Sequence, residues 1–203
     1  MIAVIDYGAG NIQSVMKALR HIGCDCVLTN SPEIINSASG AILPGVGSFG
    51  DCMDNIEKSN LTEVIKNYAN SGKPFMGICL GLQLLFPESE ESPNASGLGL
   101  LKGTITKIPK QEGIKVPHMV WNSLNIRKND GLFKGIEGNP YVYFVHSYYL
   151  TAEDKDIVSA DTFYSTEIHA AVQYKNIHAT QFHPEKSGDV GLKILRNFAD
   201  MTL

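Results

Sequence analysis

At 203 residues, with 43% hydrophobic and 19% charged residues, the chain has the composition of a soluble globular protein large enough for one α/β domain with a substantial core. A formal net charge of −4 excludes a nucleic-acid or anionic-membrane partner held by bulk electrostatics. No apolar run approaches the roughly 18–20 residues of a membrane span, and Met1 to Asp6 is too short and lacks the basic start of a signal peptide, so a cytoplasmic location is expected.

In chain order, Ile2 to Ile5 reads as a buried strand, Asp6 to Gly10 as a turn, and Asn11 to Ile22 as a helix with Ile12, Val15, Met16, Leu19 and Ile22 at helical spacing before Gly23. Cys24 to Thr29 is a second strand, in which Cys24 and Cys26 share a face as core thiols. Ser31 and Pro32 then open a short capped helix. Ala41 to Leu43 is a third strand ending in Pro44-Gly-Val-Gly-Ser-Phe-Gly50. The helical region after it carries Met53, Ile56, Leu61, Val64, Ile65 and Tyr68, with a break near Ser59-Asn60. Gly72-Lys73-Pro74 resets the chain into a fourth apolar strand. Such alternation predicts an α/β fold, a mostly parallel or mixed central sheet flanked by helices.

Beyond Pro87 the texture changes. Glu88 to Gly99 is polar and loop-like, and strands are expected over Lys102 to Ile108, Val116 to Ile126, Tyr141 to Leu150, Ile157 to Ala160, Ile168 to Tyr174 and Ile177 to Phe182. A last helix covers Val190 to Met201. The layout is one domain over residues 1–203, with a β-rich second half.

Chemistry concentrates in three places. In Gly77-Ile-Cys-Leu-Gly81 an apolar strand enters a tight turn and a helix-forming run leaves it, the pattern of a nucleophile elbow. The flanking glycines suit a strained, closely packed backbone, and a helix N-terminus favours a thiolate. A buried core cysteine is the competing reading of Cys79 alone. In Thr180-Gln-Phe-His-Pro-Glu-Lys-Ser187, Pro184 biases His183 toward an extended backbone, so His183 and Glu185 should project to one side. A carboxylate there can hold the imidazole in one tautomer, completing a Cys–His–Glu set with Cys79. In Pro44 to Gly50, three glycines leave backbone N–H groups uncovered; Gly47, with the N–H of Leu80, can serve a developing oxyanion.

Other motifs carry less. Gly8-Ala-Gly10 is not a dinucleotide fingerprint, because Gln13 occupies the third position and Thr29-Asn30 lacks an acidic residue. The four cysteines show no zinc-site spacing, and no metal or cofactor is implied. His21, His169 and His178 read as structural or solvent-facing. The stretches Pro117-His-Met-Val-Trp-Asn122 and Tyr143-Phe-Val-His-Ser-Tyr148 fit an interface or pocket wall, or simply half-buried strands.

Taken together, Gly77-Ile-Cys-Leu-Gly-Leu-Gln83, His183-Pro-Glu185 and Pro44-Gly-Val-Gly47 resemble the class I (triad) glutamine amidotransferases. Asp6-Tyr-Gly-Ala-Gly-Asn-Ile12, Pro117 to Asn122, His146-Ser-Tyr148 and Gln181 to Ser187 narrow the resemblance to the glutaminase subunits of imidazole glycerol phosphate synthases, essentially end to end. The resemblance implies a thioester on Cys79, proton transfer by His183 and orientation by Glu185. It implies that Gly47, Gln83, Glu91, Ser147 and Tyr148 hold L-glutamine, and that ammonia passes to a (β/α)8-barrel cyclase subunit in a heterodimer. Asn11, Met119, Trp121, Asn122 and Tyr143 match positions near that interface. Two departures stand out: Val120 replaces a usual glycine in the partner-facing segment, raising a paralogue that serves another synthase, and Pro87 replaces a usual acidic residue and should shorten the elbow helix. A stand-alone cysteine hydrolase of related fold is the other alternative.

Overall fold

The computed structural model describes residues 1–8 and 12–203. Its first half alternates strand and helix: β1 (Ile2–Ile5), α1 (Ile12–His21), β2 (Cys26–Thr29), α2 (Pro32–Ser37), β3 (Gly40–Gly45), α3 (Phe49–Lys58), α4 (Thr62–Asn70), β4 (Phe75–Cys79) and the one-turn α5 (Leu80–Gln83). The second half holds β5 (Glu88–Ser89), β6 (Gly103–Lys107), β7 (His118–Ser123), β8 (Asn125–Ile126), β9 (Tyr141–His146), β10 (Tyr148–Ala152), β11 (Val158–Tyr164), β12 (Thr166–Tyr174), β13 (Ile177–Thr180) and α6 (Gly188–Asp200).

Eight strands form one sheet in the order β2-β1-β3-β4-β13-β12-β11-β8. The first five run parallel and the rest antiparallel, so the sheet is mixed. Alternate side chains feed two cores. Leu43 and Phe75 pack with Ile56 of α3 and Ile65 of α4, whereas Ile42, Met76 and Ile78 pack with Leu19 of α1 and Phe198 of α6. Burying each such side chain stabilises the fold by about 1.5–3 kcal/mol, and covering both faces is what lets near-continuous apolar runs form parallel strands. Ser31 caps α2 ahead of Pro32, and α3 stops at Lys58 before Asn60, whose φ is +56°. Among the described residues no helix is long and apolar enough to cross a membrane.

Three expectations need correction. The run Val116 to Ile126 is two strands, because Leu124 turns fully into the core and its N–H donates to the Pro140 carbonyl; β7 pairs with β9, and β8 with β11. Tyr141 to Leu150 likewise divides at Ser147, with β9 in the β7 ribbon and β10 in a separate sheet with β6 and β5. Cys24 and Cys26 are only half-buried, since β2 is the edge strand of the main sheet and Cys24 precedes it. Of the remaining histidines, His21 is exposed, while His169 and His178 are buried.

The site follows from strand order. β4 lies between β3 and β13, with Gly45 opposite Cys79 and Thr180 opposite Ile78. The carboxyl ends of three adjacent parallel strands therefore deliver the glycine loop, Cys79 and the segment leading to His183 to one edge, where open α/β sheets place their ligand crevice.

Candidate active site

Cys79 ends β4 with φ +56° and ψ −110°, a backbone conformation that few residues with a Cβ adopt. The turn is tight on both sides. A Cβ on Gly77 would lie 2.6 Å from the Gly81 carbonyl oxygen, and one on Gly81 would lie 1.9 Å from that of Leu43. The thiol sits at the start of α5, only 7% exposed, beside a cavity of about 330 Å³.

His183 follows β13, and its N–H donates to the Tyr143 carbonyl at 3.0 Å. The expected period-of-two extension does not continue past it, because Pro184 to Lys186 form a 3-10 turn. That turn brings Glu185 back so that its Oε1 lies 2.8 Å from His183 Nδ1, with both side chains almost fully buried. With Nδ1 committed to Glu185, Nε2 is the nitrogen left for Cys79. Burial opposes a charged imidazole, but the hydrogen bonds and charges of Cys79 and Glu185 outweigh it and raise His183 from 6.5 to about 10.

This shift has a consequence for stability. The folded protein holds the His183 proton more tightly than the unfolded chain, so the contribution is complete below pH 6.5 and disappears as pH rises through about 10. Unfolding free energy measured by denaturant titration should therefore decline across that window, and less steeply in His183→Gln.

Gly47, at φ +103°, and Leu80 both line the cavity. Behind the glycine loop the Tyr7 hydroxyl donates to the Pro44 carbonyl at 2.7 Å, and the Cys52 thiol to that of Val46 at 3.4 Å. Gln83, Glu91, Ser147 and Tyr148 line the same cavity. Glu91 is tied down at the start of α3, accepting from the Phe49 N–H at 2.8 Å. Gln83 Nε2 donates to the Tyr148 carbonyl at 2.9 Å and to Gln181 Oε1 at 3.0 Å, and Gln181 Nε2 lies 3.8 Å from Cys79 Sγ.

The residues matched to a partner surface are spread differently. Met119 and Trp121 are 55% and 51% exposed on β7, and Trp121 meets Tyr143 edge to face at 6.1 Å. Asn122 is engaged, donating to the Phe163 carbonyl at 3.1 Å. Asn11 lies outside the described residues. Sequence reasoning gave no role to Gln181, although a fully buried amide requires partners. His146, read from the sequence as part of an interface or pocket wall, also lines the cavity.

The sequence profile for "Glutamine amidotransferase class-I" matches residues 3–201. The chain belongs to the class-I glutamine amidotransferase family. It is 50% identical over 201 residues to "Imidazole glycerol phosphate synthase subunit HisH" of Methanothermobacter thermautotrophicus, covering 99% of this chain and 98% of that one. The subunit of the same name from Caldanaerobacter subterraneus subsp. tengcongensis is 48% identical, again over 99% and 98%. These likenesses set it in the HisH branch of the family, which makes it an enzyme. Among solved structures, one described as "Crystal structure of glutamine amidotransferase" superposes with a TM-score of 0.78 at 17% identity, covering 100% of this chain and 99% of that one. The "Structure of PurLQS from Thermotoga maritima" gives 0.75 at 22%, over 98% and 97%. At such identities these two bear on the fold alone.

Proposed function

We propose that this chain is the glutaminase subunit of an imidazole glycerol phosphate synthase, hydrolysing L-glutamine to glutamate and ammonia for histidine biosynthesis in the cytoplasm. The observation that carries the reading is the convergence of the Cys79 elbow with the buried His183–Glu185 pair at one cavity wall.

In this mechanism the Cys79 thiolate attacks the glutamine carboxamide carbon. The N–H groups of Gly47 and Leu80 stabilise the oxyanion. As the C–N bond breaks, His183, held by Glu185, gives its proton to the departing nitrogen and ammonia leaves, with the γ-glutamyl group left as a thioester on sulfur. A water molecule then attacks that carbon, His183 takes its proton, and glutamate departs as Cys79 is regenerated. Gln83, Glu91, Ser147 and Tyr148 line the volume the substrate would fill. Ammonia is passed to a (β/α)8-barrel cyclase subunit, which makes imidazole glycerol phosphate and an aminoimidazole carboxamide ribotide. The names of the HisH relatives support the assignment to an imidazole glycerol phosphate synthase.

The partner surface in this reading is the β7–β9 ribbon, with Met119 and Trp121 exposed and Tyr143 beside them. Trp121→Ala should weaken the complex by about 2 kcal/mol, as for a central aromatic anchor. Its own thermal unfolding should stay close to wild type because half the side chain is already in water. Calorimetric titration of the cyclase into each protein checks this.

The whole reading is tested by measuring glutamate release from glutamine with and without the barrel cyclase. Turnover in the complex is expected. Efficient peptide hydrolysis by the chain alone would instead support a stand-alone cysteine hydrolase. Activation only by a different synthase would point to a paralogue, the possibility that Val120, 39% exposed on the same ribbon, raises.

A further inference from the structure

Two histidines outside the Cys79–His183–Glu185 group are buried against each other, His146 in the cavity wall and His118 outside it. His118 of β7 and His146 of β9 are register partners, and His118 Nδ1 lies 2.9 Å from His146 Nε2. The proton positions along this pair follow from its two ends. The Tyr148 carbonyl can only accept, so His146 Nδ1, 2.8 Å away, carries a proton. A neutral imidazole has one N–H, so His146 Nε2 is an acceptor and His118 Nδ1 donates to it. His118 Nε2 is then an acceptor too, and the atom facing it at 3.3 Å is Asn122 Nδ2, which can only donate. Asn122 is oriented by its remaining bonds, Nδ2 to the Phe163 carbonyl and Oδ1 accepting from the Ser123 N–H at 2.9 Å. Both ends demand the same pair of Nδ1–H tautomers.

The surroundings hold that arrangement. The His118 ring is stacked between Phe144 and Tyr164, with centroids 4.6 and 3.9 Å away and planes within 22° of parallel. Burial pushes His118 down to about 3 and His146 to about 4, so both stay neutral in ordinary buffers. The chain of bonds ends at an oxygen of the candidate site: the Tyr148 carbonyl also accepts from Gln83 Nε2, which reaches Gln181 and through it Cys79.

We propose that His118 is a positioning residue for glutamine binding, acting through His146 to fix the Tyr148 carbonyl and the Gln83 amide in the cavity wall. The substrate in this statement rests on the glutaminase reading; the relay itself does not. Because both His146 nitrogens are engaged, His146 presents no free lone pair to compete with His183 for the thiol proton.

The relay is read directly by long-range nitrogen-15 to proton correlation on the wild-type chain. Both rings should be neutral and protonated at Nδ1 at neutral pH. An Nε2–H tautomer or an imidazolium at either ring overturns the proposal. In the assembled synthase, His118→Phe keeps a ring in the aromatic stack without a donor, leaving His146 Nε2 unpaired. It should raise KM for glutamine roughly ten-fold while kcat changes by less than about three-fold. His118→Asn, whose amide nitrogen can take the place of Nδ1, should restore most of the loss. An unchanged KM in folded His118→Phe, or a fall confined to kcat, overturns the positioning role. A wild-type complex that releases no glutamate sinks the glutaminase reading, and with it the substrate named here, while the tautomers still report on the relay.

Discussion

Cys79→Ala is expected to lower glutamine hydrolysis in the assembled synthase by on the order of ten-thousand-fold or more, the loss seen when a covalent nucleophile is removed from a triad. No neighbouring thiol can substitute. Cys52, the next cysteine nearest in sequence, is fully buried behind the glycine loop and occupied by the Val46 carbonyl and the Tyr7 hydroxyl. The substitution removes little packing, because Cys79 and alanine share the Cβ that already occupies the unusual backbone conformation. Lost packing alone should therefore move the unfolding free energy by no more than about 1 kcal/mol. A second readout is electrostatic: Cys79 is one of the two groups that raise His183, so His183 should titrate at lower pH in the variant. If the chain's role is to supply ammonia, added ammonium salt should restore product formation by the cyclase without restoring glutamate release. Full glutamine turnover by Cys79→Ala would rule out the proposed chemistry, and failure of ammonium to rescue would separate damage to the complex from loss of the nucleophile.

How much of this was legible in the sequence depends on how local each feature is. The elbow could be read because Gly77, Cys79 and Gly81 lie within five residues of one another and a strand run and a helix run meet there. The sheet was legible as far as the strands are parallel and buried on both faces, which makes Ile42, Leu43, Phe75 and Met76 near-continuous apolar runs. The second half was harder, since alternation marks an extended chain but not its partner. Nothing in the residues around Ser147 or Leu124 says that pairing changes sheets there. The His183–Glu185 pairing could be anticipated from the residue types, but not its geometry, which comes from a 3-10 turn rather than a continued strand. The His118–His146 relay spans two strands 28 residues apart and was invisible, as was the Gln83–Gln181 bond, 98 residues apart. Long-range polar pairs leave no periodicity in a single sequence.

The second large effect concerns the turn that holds the nucleophile. Gly81→Ala should destabilise the protein by roughly 3–5 kcal/mol, at the severe end for a single methyl group, because the clash is with backbone rather than with a movable side chain. The added Cβ would sit 1.9 Å from the Leu43 carbonyl oxygen and 3.0 Å from its carbon. Leu43 cannot retreat, since β3 is paired with β1 on one side and β4 on the other, and Leu43 itself is the register partner of Gly77. Relief must come from α5 lifting off β3, and Cys79 lies at the joint between β4 and α5. Its conformation at φ +56° costs on the order of 1–3 kcal/mol and persists only while the packing on both sides enforces it. Loosening α5 should let Cys79 relax and withdraw the thiol from His183, so activity and stability fall together. Gly47→Ala provides the contrast. Its Cβ would meet nothing within 4 Å, and only the φ of +103° opposes it, so the cost should stay near the 1–3 kcal/mol of local backbone strain. Denaturant titration of the two variants beside wild type distinguishes close packing from strain, and a Gly81→Ala protein as stable as wild type would mean that the helix does not press on β3 and that the elbow is held by something else.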